Sequence, residues 1–172
     1  MAESILWTLV FFVYVLTVAL SPVLALGIVI LSRRRSTTAA LGAVVGAVAG
    51  IVTLGATVGF ALLSWQAGVV LFLAGQGALG ALAVIPLLVG RGIVRQTTDL
   101  DRETALRVAV TAWPLALAGS FALFVAPGGF ARDNITFLSG AAAALAWLSW
   151  GILVLVGPGL LGSTGIALRR RL

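Results

Sequence analysis

The sequence predicts an all-α fold: a polytopic integral membrane bundle of five helices, N-terminus outside and C-terminus cytoplasmic. Three observations predict it. The 172 residues are 61% hydrophobic and 9% charged, against about 45–50% and about 25% in an average soluble domain. Uncharged runs at 4–32, 36–90, 108–131 and 134–168 each reach the roughly 20 helical residues that cross a hydrocarbon core about 30 Å thick. The arginines, finally, gather beside alternate connections.

The elements follow in order. The first run gives a helix near 5–31. It is not expected to be a cleaved signal peptide, because Met1 to Ser4 carry no basic residue and the apolar stretch exceeds the usual 7–15 residues or so of such a segment. The run 36–90 is too long for one crossing. Ser64, Trp65 and Gln66 form its only tight polar and interfacial cluster, which suits a turn between antiparallel helices near 38–63 and 67–89. Thr98 or Asp99 is placed to cap a helix over 100–125, where Asp101 and Glu103 oppose the positive end of the helix dipole. Pro127, Gly128 and Gly129 mark a turn, after which Asp133 or Asn134 caps a fifth helix over 135–161. The triplet Asn134-Ile135-Thr136 also fits a glycosylation acceptor, but its place against the span favours the cap. These runs are apolar all round, whereas membrane strands alternate.

No connection is long enough to bury a core of its own, so a single transmembrane domain, 1–172, is expected. A weak internal similarity relates 38–89 to 100–161 as a parallel repeat. Phe60-Ala61-Leu62 matches Phe121-Ala122-Leu123, Phe72-Leu73-Ala74-Gly75 matches Phe137-Leu138-Ser139-Gly140, and Val89-Gly90-Arg91-Gly92 matches Val156-Gly157-Pro158-Gly159.

Net charge is +6, and all eleven basic residues are arginine. Arg33, Arg34, Arg35, Arg91, Arg95, Arg102, Arg107, Arg169, Arg170 and Arg171 fall on one side of a five-span topology, and only Arg132 falls on the other. An even number of spans would put one cluster outside, so charge and hydropathy agree on orientation. The arginines, Arg33 to Arg35 and Arg169 to Arg171 foremost, read as topology anchors, with anionic lipid headgroups or a partner as the alternative, and nucleic acid is not expected. Arginine to the exclusion of lysine suggests a GC-rich prokaryotic genome, and hence a prokaryotic cell membrane.

Missing residue types exclude much chemistry. Without histidine or cysteine the chain supplies no Ser-His dyad, thiol nucleophile, His-ligated haem or ordinary zinc site. Without lysine it holds no retinal Schiff base. The five acidic residues all fall in expected loops, tails or a first helical turn, which leaves no buried carboxylate for catalysis or proton relay. Asp99, Asp101 and Glu103 lack the other ligands and the turn glycine of a calcium loop. No enzymatic activity, cofactor or metal is expected.

The spans offer packing signals instead. Gly42, Gly46 and Gly50 recur every four residues, flanked by Ala39, Ala43 and Ala47, and such a face admits a close helix neighbour from the same chain or another. Gln76, mid-span between Gly75 and Gly77, is the strongest polar side chain at membrane depth and should face protein. Tyr14, Thr53, Thr57, Thr111, Ser120, Ser139 and Ser149 are available to join it or to bond back to their own helices. Pro22, Pro86 and Pro114 lie in the cytoplasmic halves of three spans, and Trp147 and Trp150 share a face suited to packing.

The expected function is a non-catalytic structural or accessory component of a membrane assembly, whose partners are the lipid bilayer and other subunits or copies of itself. The alternative is a small transporter or pore for a neutral or amphipathic solute, built on Gln76, the hydroxyls and the prolines.

Overall fold

The computed structural model describes residues 2–125 and 141–171. All regular structure among them is helical: α1 (Ala2–Leu31), α2 (Thr37–Leu62), α3 (Trp65–Leu79), a π-helical segment (Gly80–Val84), α4 (Ile85–Thr97), α5 (Arg102–Val125) and α6 (Ala141–Arg169). Five stretches are long and apolar enough to cross a membrane: Phe11–Leu31, Thr37–Leu62, Trp65–Thr97, Arg102–Leu123 and Leu148–Arg169. The expected turn at Pro127, the caps at Asp133 or Asn134, the Asn134-Ile135-Thr136 triplet, Arg132, and Phe137 to Gly140 lie outside the described residues.

Packing divides the chain into two compact units, Met1–Ile85 and Pro86–Leu172. In the first, α2 and α3 form an antiparallel hairpin whose turn is Leu63 and Ser64. The Ser64 hydroxyl accepts from Ala67 N at 3.1 Å and so caps α3. Ser36 caps α2 in the same way through Ala39 N. Helix α1 buries Tyr14, Ser21, Ala25 and Ile28, a stripe at helical spacing. Pro22 within it cannot donate to the carbonyl of Val18. The Ser21 hydroxyl donates to that carbonyl instead, at 2.8 Å.

The third expected helix is longer than 67–89 and changes register. It starts at Trp65 and becomes π-helical over Gly80–Val84, just before Pro86. A proline there withholds the N–H that Leu82 O would accept from, and a wider turn is one accommodation of that loss. Helix α4 then continues to Thr97 through residues whose glycine and charge suggested a loop, because Leu87, Gly90 and Val94 are buried while Arg95 stays exposed. Thr98, one of the two expected caps of the next helix, instead donates to Val94 O at the end of α4. Asp101 caps α5, its carboxylate accepting from Glu103 N at 3.0 Å and Thr104 N at 3.2 Å.

The second unit assembles through glycines. A Cβ added at Gly90 would lie 3.1 Å from Gly159 N and 3.2 Å from Ala109 Cβ, and one added at Gly162 would lie 2.7 Å from Val108 Cγ1 and 3.3 Å from Val94 Cγ2. These pairings run α5 antiparallel to both α4 and α6. Trp113 and Leu117 of α5 are fully buried. Helix α6 continues beyond the expected end at 161 to Arg169, through Pro158.

Candidate functional site

Gln76 joins α3 to α2. Its Nε2 donates to Ala49 O at 3.0 Å and to Thr53 Oγ1 at 3.2 Å. Thr53 itself donates to Ala49 O at 2.8 Å, and Thr57 donates to Thr53 O at 2.9 Å. The amide nitrogen of Gln76 is therefore held by two acceptors of the neighbouring helix, in a medium where an interhelical hydrogen bond contributes about 0.6–2 kcal/mol.

Close approach of α2 and α3 rests on Gly59, Gly68 and Gly75. A Cβ at Gly68 would stand 2.6 Å from Phe60 Cβ and 3.0 Å from Ala56 O, one at Gly59 would stand 2.8 Å from Leu71 Cδ1, and one at Gly75 would collide with Val52. The seven-residue step from Gly68 to Gly75, next to Gln76, was a readable signal for this contact.

Gly42, Gly46 and Gly50 lie on another face. They are exposed, as are Ala39, Ala43 and Ala47, and no atom of the first unit lies within 4 Å of where a Cβ would stand on any of the three. Among the described residues of that unit, none covers the face.

Other hydroxyls bond within their own helices: Ser120 to Leu117 O at 2.7 Å and Thr111 to Val108 O at 2.8 Å. Thr37, in the first turn of α2, is 1% exposed and its Oγ1 has no partner; nothing in the sequence signalled this. Arg33, Arg34 and Arg35 stand exposed on the turn before α2, and Arg169, Arg170 and Arg171 are exposed at the end of α6. Trp150 is half-buried and the Trp147 side chain lies outside the description. Among the described residues no three His, Cys, Asp or Glu side chains are grouped to hold a metal ion. The Asp101 carboxyl is perturbed: bonds from the Thr104 hydroxyl and backbone N–H hold it below the usual 3.8.

No family model matches the chain, and neither a curated protein nor a solved structure shows significant similarity to it.

Proposed function

We propose that the chain is a multi-pass protein of a prokaryotic cell membrane, N-terminus outside and C-terminus cytoplasmic, acting as a non-catalytic structural or accessory component of a membrane assembly. Insertion is supported by five stretches of sufficient length and apolarity. Orientation is supported by ten arginines on one side against Arg132 on the other.

The observation that carries the functional reading is the exposed small-residue face of α2. Its own unit satisfies close helix packing through Gly59, Gly68 and Gly75, yet Gly42, Gly46 and Gly50 repeat the same device where that unit places nothing. In lipid, helices associate largely by van der Waals contact and small residues permit it, so this face suits a helix of another subunit or copy. Gln76, the side chain best suited to meet a solute, is engaged by Ala49 and Thr53.

The test is the mass and composition of the assembly released from native membranes by mild extraction, for the wild type and Gly46→Leu. A defined larger complex lost in Gly46→Leu, with the chain still folded, supports the reading. A lone wild-type chain overturns it and favours the transporter alternative, which solute flux in liposomes with Gln76→Leu as control then decides.

A further inference from the structure

The glycine-mediated packing of the second unit sets its basic residues at one end. With α5 antiparallel to α4 and α6, the last turns of α4, the first turns of α5 and the end of α6 come together. They bring Arg91, Arg95, Arg102, Arg107, Arg169, Arg170 and Arg171 against Asp99, Asp101 and Glu103 alone. Asp101 is occupied in capping α5. Arg91, Arg95, Arg102 and Arg169 to Arg171 form no ion pair with any described carboxylate.

Within this end, α4 offers one ordered face. Leu88, Arg91 and Arg95 stand three and seven residues apart, which aligns them on one side of the helix, away from the buried Leu87, Gly90 and Val94. Leu88 is 41% exposed; Arg91 is half-buried and Arg95 exposed. An exposed leucine is thus followed, within about two turns on the same side, by two guanidinium groups, which are planar forks suited to phosphate oxygens.

We propose that this face binds an anionic phospholipid, with Arg91 and Arg95 holding the headgroup phosphate and Leu88 lying against its acyl chains. The inference rests on the membrane reading above. Charge favours a phosphate, and Leu88, inside the stretch proposed to cross the membrane, favours a lipid whose acyl chains continue past the phosphate. The cationic residues around the face add attraction that salt screens, whereas the Arg91 and Arg95 contacts distinguish this face from other basic ends of the chain.

The full chain, purified in neutral detergent with equimolar phosphatidylglycerol and phosphatidylcholine, is assayed by native mass spectrometry for retained lipid. The wild type is expected to retain phosphatidylglycerol preferentially, and Arg91→Gln with Arg95→Gln to lower that preference about tenfold. Arg34→Gln with Arg35→Gln removes equal charge from the first unit and leaves the preference in place. Equal loss in both double variants, no wild-type preference, or full displacement of the lipid by millimolar inorganic phosphate overturns the site. Arg95→Gln alone, an exposed change, gives the same decision if the double variant does not fold. Wild-type chain that fails to enter phosphatidylcholine vesicles defeats the membrane reading itself, whereas entry without phosphatidylglycerol preference defeats only the site.

Discussion

Gly90 and Gly159 meet backbone to backbone: a Cβ placed on Gly159 would stand 3.0 Å from Gly90 Cα and 2.7 Å from Ile93 Cβ. Backbone cannot yield as the end of a side chain can, so Gly159→Ala forces α4 and α6 apart. The expected loss is about 1–3 kcal/mol, the usual range for overpacking a tight core. Gly46→Ala, where nothing beyond its own helix backbone lies within 4 Å, should cost nothing and gain up to about 1 kcal/mol from helix propensity. Thermal unfolding of both variants in one detergent checks the pair, and equal losses would refute this account of the crossing.

The Gln76 bonds predict a non-additive pair. Gln76→Leu should cost about 0.6–2 kcal/mol, the worth of interhelical hydrogen bonds in membranes. Thr53→Val removes one of the two acceptors, so the double variant should cost less than the sum of the singles. Unfolding monitored by circular dichroism measures the cycle, and strict additivity would mean that the Gln76–Thr53 bond contributes nothing.

What the sequence made legible was whatever depends on length and apolarity. Helices over 38–63 and 100–125, and a turn at Ser64, correspond to Thr37–Leu62, Arg102–Val125 and a Ser64-capped α3. The choice among glycines was less legible. Both Gly42-Gly46-Gly50 and Gly68-Gly75 have helical spacing, and which face is covered depends on the rotation of each helix in the hairpin, which spacing does not encode. The expected cap of α5, Thr98 or Asp99, falls two or three residues before the actual one, Asp101, whose charge reads equally as a first-turn acid opposing the dipole. The start of its buried stripe at Ala105 and Leu106 selects Asp101. The third helix is expected to end near 89 because the uncharged run stops at Gly90, before Arg91. Its continuation reflects tertiary burial of Gly90 and Val94, and it is this continuation that aligns Leu88, Arg91 and Arg95.

The replacement of a missing N–H by a hydroxyl in α1 makes a prediction about context. Ser21→Ala leaves the Val18 carbonyl without its donor and should cost about 1 kcal/mol. With Pro22→Ala already present, the new N–H of residue 22 takes up that carbonyl, and Ser21→Ala should then cost measurably less. Unfolding of the four chains in parallel decides it; an undiminished cost would show that Ser21 acts through its burial rather than through the bond.

Asp101 makes stability depend on acid. Its carboxyl is held below the ordinary 3.8 by the Thr104 hydroxyl and N–H and by Glu103 N–H, so folding favours the ionised form. That contribution is present in full well above pH 3.8 and is lost as pH falls through the lower, folded value, where both folded and unfolded chains are protonated. Wild type should therefore melt above Asp101→Ala at pH 7, and the gap should narrow from about pH 5 downward. Asp99, Arg102 and Glu103 are present in both chains, so the difference between the two melting curves isolates the cap. Measured from pH 7 to 3, a gap that stays constant or widens toward acid would place the role of Asp101 outside its charge.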